Sequence, residues 1–507
     1  MTQVAQPQAA LREAPREFPP PEAALRQSLL AGLQAILPAG ALLSEPVELR
    51  PYECDGLTAF RQLPLAVCLP EDEKQAAAIL KLCHRLQVPV VARGAGTGLS
   101  GGAMPHAAGV VLSTARFRRI LKIDPEACLA VVQPGVRNLA VSEAVAPYGL
   151  YYAPDPSSQI ACTLGGNVAE NSGGVHCLKY GLTVHNVLRL RALSMAGEVL
   201  EIGSEAPDSP GYDLLALMIG SEGMLALTTE ITVRLTPKPE TAQVVLASFD
   251  DVGRAGDAVA AIIAAGIIPA GLEMMDKAAT AAVEPFVRAG YDLEAEAILL
   301  CESDGTPEEV AEEIERVKAV LGAAGARQIR VSQSEVERLR FWAGRKAAFP
   351  AVGRITPDYY CMDGTIPRKR LAEMLTAIAA MERKYGLRCA NVFHAGDGNL
   401  HPLIMYDANV EGEVARAEAF GAEILELSVA LGGSITGEHG VGVEKIDQMC
   451  VQFTSPELTA FHRLKAAFDP DGLLNPGKAV PSLHRCAEYG KMHVHRGELA
   501  FPELERF

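Results

Sequence analysis

Apolar and polar residues along this chain follow two periods, and the switches between them outline its elements. Leu65–Leu69 is a short apolar run. Glu71–Gln87 then places Ala76, Ile79, Leu80, Cys83 and Leu86 at helical spacing, and Val88–Ala92 is a second apolar run. The pattern predicts strand, helix, strand. Gly109–Thr114 predicts another strand. Thr228–Leu235 puts Ile231, Val233 and Leu235 on one face of a further one. Glu22–Ile36 reads as an early helix. After Pro237 and Pro239 the texture changes. To about residue 390, Ala- and Glu-rich helical stretches alternate with short apolar runs such as Ile298–Cys301. That mixture implies a separate α+β unit.

These switches divide the chain into an N-terminal helical segment (1–60), a first folded unit (61–240), an α+β unit (241–430), a glycine-rich return (431–481) and a tail (482–507). A length of 507 residues suits about three domains. The formal charge of −16 argues against a nucleic-acid-binding surface and against a polybasic membrane anchor. The longest apolar candidate, Ala258–Leu272, is broken by Gly266 and Pro269, too short for a membrane span. The first 30 residues lack a basic start followed by an apolar core, so no secretory signal is expected and the cytoplasm is the expected compartment. Eleven cysteines at irregular spacings, with no CxxC, imply reduced thiols and no iron–sulfur ligand pattern.

Three glycine-rich segments then change the picture. The first is Arg93-Gly94-Ala95-Gly96-Thr97-Gly98, continuing to Gly101-Gly102. The second runs from Pro154-Asp155 through Thr163, Gly165 and Gly166 to Asn171, Gly173 and Gly174. The third is Gly220-Ser221-Glu222-Gly223. Glycine lets backbone amides approach an anion closely, and a diphosphate is a natural guest. The spacing at 94–98 does not fit GxGxxG, the loop runs into a strand instead of a helix, and no Walker lysine follows. A nicotinamide fold and an NTPase are therefore disfavoured. Three separated loops suggest a large ligand gripped by backbone along its length.

Asn391–His401 carries the sharpest chemistry. Asp-Gly is a strong hairpin signal. A turn centred on Asp397-Gly398 pairs His394 with His401, directly opposite on one face with Cβ atoms about 5 Å apart. Two such imidazoles can share a divalent ion; a stacked surface pair is the plainer alternative. Gly437-Glu438-His439-Gly440 offers a carboxylate and an imidazole between glycines, or simply a loop with a buried Glu. Ser334-x-x-Glu337 opens a helix through Val336, Leu339 and Trp342 to Arg345, with Pro350 ending it. Spacing alone makes Arg345 an exposed helical arginine.

The glycine loops, the block at 154–183, Gly220–Gly223 and Leu474-Asn475-Pro476-Gly477-Lys478 together resemble the flavin-binding domain of the vanillyl-alcohol-oxidase / cresol-methylhydroxylase superfamily. Within it the chain resembles the FAD-linked 2-hydroxyacid dehydrogenases. It is most similar to the flavin subunits of bacterial glycolate oxidases, through Arg345–Pro350, Pro357–Pro367, His484–Tyr489 and Phe501–Leu504.

The resemblance implies an α+β fold: a two-subdomain FAD-binding domain of the p-cresol methylhydroxylase (PCMH) type, plus an α+β cap with an antiparallel sheet. It implies FAD at Arg93, Gly94, Ala95, Gly96, Thr97, Gly98, Pro154, Asp155, Thr163, Gly166, Asn171, Gly173, Gly174, Glu222, Gly223, Ile231 and Asn475. The FAD is expected to be non-covalent, because the first loop has no histidine and His106 lies past Pro105. It also implies a divalent metal, Zn, Mn or Fe, at His394, His401 and Glu438, with His439 as base and Arg345 as the substrate-carboxylate anchor. The implied activity is oxidation of glycolate, and of D-lactate, to the 2-oxo acid. Electrons then pass to a quinone or to an iron–sulfur subunit, in a hetero-oligomer with a second flavin-domain-like subunit; the tail from Ser482 is a docking candidate. Any membrane contact would run through those partners. Competing readings are a stand-alone D-lactate or D-2-hydroxyglutarate dehydrogenase, a flavin-binding scaffold, and a flavin-free zinc hydrolase. Relatives with an added lysine differ here, where the chain has Tyr360-Cys361.

Overall fold

The computed structural model describes residues 16–206 and 211–482. The tail reading for 482–507 falls almost wholly outside them, as does the start of the N-terminal segment.

Most predicted elements form close to their expected bounds. The helix Glu73–Leu86 begins where Asp72 accepts the Gln75 N–H and ends at Gln87 in a left-handed conformation, φ 58°. Its buried residues Ala76, Ile79, Leu80 and Cys83 pack in one apolar cluster with Leu29 and Leu33 of the helix Ala23–Ile36. Beneath them lies a four-stranded sheet in the order Leu42–Leu43, Ala66–Cys68, Val110–Ser113, Val90–Arg93. The last three strands run parallel. The segment Gly94–Gly109 therefore connects neighbouring parallel strands without a helix. The C-terminal return closes on this sheet, with the Val90 N–H bonded to Leu473 O at 2.8 Å.

A second, antiparallel sheet is ordered Ile120–Asp124, Leu129–Val132, Leu227–Arg234, Val187–Leu193, Val199–Gly203. The third has seven strands, all antiparallel, in the order Gln328–Val331, Thr241–Phe249, Ala297–Gly305, Gly271–Asp276, Arg388–His394, Asn399–Tyr406, Asp358–Cys361. Helices cover both of its faces: Val252–Ala264, Pro307–Ala323 and Leu371–Tyr385 share one apolar cluster with it, and Lys277–Val287 and Glu335–Lys346 another. The architecture is the expected α+β one. Among the described residues no helix is long and apolar enough to cross a membrane, and nine cysteines are free thiols.

Two local expectations are corrected. Pro350 does not end the Arg345 helix. That helix stops at Lys346, and Pro350 sits in the first turn of a second short helix, Ala348–Val352, where its missing N–H costs no bond. The helix does run through Val336, Leu339 and Trp342 to Arg345, but Val336 and Leu339 are exposed and its inward face is Phe341, Trp342, Gly344 and Arg345, against the expectation for Arg345.

Candidate functional site

The glycine segments meet in a cleft of about 390 Å³. Its walls include residues 93–98, Thr163, Gly165, Gly166, Glu222 and Gly223, as expected. Backbone forms these walls because side chains do not fit. A Cβ on Gly94 would collide with Thr163 Oγ1, and one on Gly96, whose φ is +71°, with the Arg93 guanidinium. Arg93 itself donates to Cys54 O at 2.7 Å, stapling the loop down. Asn167 Nδ2, on the cleft wall, is buried without a protein partner. A long slot with backbone walls and a spare donor suits a dinucleotide.

Several expected contacts lie off this wall. Ile231 is fully buried in the apolar core beside the second sheet and does not line the cleft. Pro154, Asp155, Asn171, Gly173, Gly174 and Asn475 are not among the residues that line it. Asn171 accepts the Val184 N–H at 2.9 Å. Asn475 donates to Gly102 O at 3.0 Å and Glu222 O at 2.7 Å, tying two glycine loops together. A Cβ on Gly174 would strike Asp155, and one on Gly173 would meet Glu438 Oε2. His106 packs edge-on against Phe18, also off the wall.

Asp155 pairs with His176 Nδ1 at 2.8 Å, and His176 Nε2 reaches Glu302 at 3.2 Å. Burial pulls the His176 pKa down, but the two carboxylates outweigh it and lift it to about 10. An unfolded histidine titrates near 6.5. The stabilisation is therefore complete below about pH 6.5 and lost as pH rises towards 10. The gap in urea midpoint between the parent and His176→Gln is expected to shrink across that window; a constant gap would show that the ring is held uncharged.

At one end of the cleft stand Arg345, His401, Glu438 and His439, all lining it. His394 and His401 project from adjacent strands, but they are not directly opposite as the hairpin reading had it. The register pairs His394 with Asn399 and Val392 with His401, so the histidines are diagonal neighbours on the same face, with ring centroids 5.0 Å apart. A two-residue turn of type I′, the one Asp-Gly favours, would need φ > 0 at both Asp397 and Gly398. Only Gly398 adopts it, and the tip is held from outside by Gly396 N–H to Leu272 O at 2.9 Å.

The ligand atoms of His394, His401 and Glu438 all lie within 4.8 Å of one another. Glu438 Oε1 is 3.4 Å from His394 Nε2 and 3.1 Å from His401 Nε2. His394 Nδ1 meets Glu273 Oε1 at 2.7 Å, and His401 Nδ1 points at Met362 O at 3.4 Å. A carbonyl only accepts, so His401 Nδ1 donates there and its Nε2 is turned to the Glu438 carboxylate. A cation among the two ring nitrogens and the carboxylate would be held by all three. Outer oxygens that fix the imidazole tautomers in this way suit a metal site.

Three residues that sequence reasoning missed build this end. Glu273, an acid in the apolar strand Gly271–Asp276, takes the Arg345 Nε–H at 2.6 Å and His394 Nδ1 on its other oxygen, so it orients both. Its signal was a charge flanked by the apolar strand residues Leu272, Met274 and Met275. Asp363 accepts the backbone N–H groups of Gly437 and His439 at 3.0 and 2.9 Å and lies 3.5 Å from the buried Lys445 ammonium. Burial raises its pKa, but the groups that are positively charged in the acid range where Asp363 titrates, His439 and Lys445 first, outweigh that and hold it at about 2. Glu170, at the end of the helix Leu164–Glu170, also lines the cleft.

Arg345 is 1% exposed and its NH2 has no partner, which overturns the exposed-helix default. His439 stacks on His401 at 4.9 Å and 9°. Burial pushes its pKa down to about 4, and its Nδ1 is unpartnered.

Comparison with known proteins gives the family and the fold. Residues 64–203 match the FAD binding domain model, and residues 238–479 match that of the FAD linked oxidases, C-terminal domain. The chain is 64% identical to glycolate oxidase subunit GlcD of Escherichia coli (strain K12), over 95% of this chain and 97% of that protein. It is 40% identical to the GlcD subunit of Bacillus subtilis (strain 168), over 84% and 91%. Identity to a D-lactate dehydrogenase of Anaerostipes hadrus is 34%, over 80% and 87%. The fold is shared with p-cresol methylhydroxylase at TM-score 0.77 and 18% identity, covering 91% of this chain and 98% of that one. Alkyldihydroxyacetonephosphate synthase shares it at TM-score 0.71 and 18% identity, covering 92% and 88%. The chain is thus a flavoprotein oxidoreductase, and it belongs to the family of FAD-linked oxidases.

Proposed function

We propose that this chain oxidises glycolate, and D-lactate with it, to the 2-oxo acid. The observation that carries the reading is a convergence at one end of the flavin cleft. A guanidinium with a free nitrogen (Arg345), a buried imidazole (His439) and the His394–His401–Glu438 cluster meet there. When bound, non-covalent FAD supplies the acceptor for the hydride leaving C2, and a divalent metal, Zn, Mn or Fe, supplies Lewis-acid stabilisation of the hydroxyl oxygen.

The chain's own groups do the rest. Arg345, its Nε already fixed by Glu273, offers its remaining N–H groups to the substrate carboxylate. His439 presents Nε2 to the cluster, 3.9 Å from Glu438 Oε1, and takes the hydroxyl proton there. Asp363 holds the 437–439 backbone so that Glu438 and His439 keep their aim. Phe349 and Tyr359, edge to face at 5.9 Å, wall the cleft beside Arg345, which favours a small group on C2. The word "subunit" in the relatives' names supports assembly with other chains, and the partners proposed are a second flavin-domain-like subunit and an iron–sulfur subunit that accepts the electrons. The likeness to a D-lactate dehydrogenase supports the second reading, a dehydrogenase acting alone.

Anaerobic titration of the purified flavoprotein with glycolate, D-lactate and L-lactate tests this. Flavin absorbance near 450 nm is expected to bleach with the first two. EDTA pretreatment is expected to abolish bleaching, and added divalent metal to restore it. Bleaching that survives full metal removal would sink the metal assignment. A bound flavin that none of the acids reduces, even with the partner subunits added, would leave the scaffold reading.

A further inference from the structure

Glu170 is a half-buried acid of the cleft wall whose inner oxygen the fold leaves without a use. It lines the flavin cleft, yet Oε2 has no hydrogen-bond partner. Two glycines from different loops close around it. A Cβ on Gly102 would lie 2.9 Å from Glu170 Oε1, and a Cβ on Gly440, the residue after His439, would collide with Oε2. The same Gly440 Cβ would meet Glu222 Oε1 at 3.0 Å, so the two carboxyl groups are neighbours.

Glu222 is well supplied: the Val441 and Gly442 N–H groups each donate to it at 2.7 Å. Two like charges so close in a buried site are not both retained. Glu222, with its two amide donors, keeps the charge. Glu170, with none, keeps a proton; burial first and the Glu222 charge second push its pKa well above the usual carboxylate range. Asp55, Lys445 and Lys478 are the other charged groups facing it. A neutral carboxyl is a hydrogen-bond donor, and this one has no protein acceptor. A buried polar atom left without its hydrogen bond is destabilising, so such a group calls for a ligand partner.

We propose that Glu170 is a positioning residue for the bound flavin, donating a hydrogen bond to the ring system and favouring its reduced form. The inference rests on the reading above that the reacting part of the flavin lies at the His439 end of the cleft, since Glu170 is packed against the residue that follows His439. A neutral donor stabilises negative charge that the ring gains with two electrons, and one such bond contributes roughly a factor of ten.

The test is a spectroelectrochemical titration of the purified flavoprotein with a chemical reductant and mediators, in the parent, Glu170→Gln and Glu170→Ala. Glu170→Gln keeps both shape and a donor, and its midpoint is expected to match the parent. Glu170→Ala is expected to shift the oxidised-to-reduced equilibrium about tenfold towards the oxidised form, about −30 mV for a two-electron couple. An unchanged midpoint in Glu170→Ala would overturn the contact. A higher midpoint in both variants would mean that Glu170 is charged, and would overturn it equally. The reductant is not a substrate, so this readout is blind to the metal and to His439. Failure of the hydroxyacid reading and failure of this inference are thereby separable.

Discussion

His439→Gln is expected to lower kcat by roughly 10²–10⁴-fold, the usual worth of a positioned general base, while KM and flavin content stay near the parent values. The reason is geometric. The residue's main chain is tied to Asp363 through a 2.9 Å bond that glutamine also makes, so the 437–440 loop keeps its shape. What disappears is the imidazole stacked on His401, the basic group facing the cluster. Burial keeps that imidazole in its neutral, proton-accepting form. Stopped-flow reduction of the flavin by glycolate checks the step directly. Reduction within threefold of the parent would remove His439 from the role of base.

Arg345→Met is expected to act on both substrate binding and stability. A hydrogen bond to a charged group contributes roughly 1.5–3 kcal/mol, so losing a two-pronged hold on the carboxylate lowers kcat/KM by roughly 10²–10⁴-fold. The same change strands Glu273, which is 1% exposed and pairs through its other oxygen with His394. Breaking one side of a buried pair typically costs about 3–5 kcal/mol. Arg345→Lys keeps a charge near Glu273 and is expected to recover most of the stability but little of kcat/KM, because an ammonium lacks the planar fork. Urea unfolding and steady-state kinetics on the two variants separate the effects. A lysine variant with parent-like kcat/KM would show that only charge is needed there.

Much of this site was legible because its signals are local. Glycine spacing at 93–102 disfavoured a nicotinamide loop, and the loop indeed joins two strands without a helix. The period-2 geometry of strands put His394 and His401 on one face, and that survives the corrected register, because a slip of two positions preserves the face. Glu438 and His439 were adjacent in sequence, and only the family resemblance gave them roles. Capping was equally local: Ser334 accepts the Glu337 N–H as its spacing implied.

The sequence by itself determined which residues start and stop elements, which share a strand face, and where backbone lies bare of side chains. These depend on neighbours within a turn or two, and the chain carries that information at short range. Tertiary structure alone decided the partners. Glu273 and Arg345 lie 72 positions apart, and Asp363 and His439 76 apart. No periodicity links them; the strand order of the seven-stranded sheet and the return of the C-terminal segment bring them together. Burial then fixed their chemistry. Arg345 became an enclosed guanidinium instead of a solvated helix residue, Ile231 a core residue away from the cleft lining, and Glu170 an acid beside Glu222 with an unpartnered oxygen. A charge's behaviour is set by what surrounds it in three dimensions, and a linear sequence does not state that.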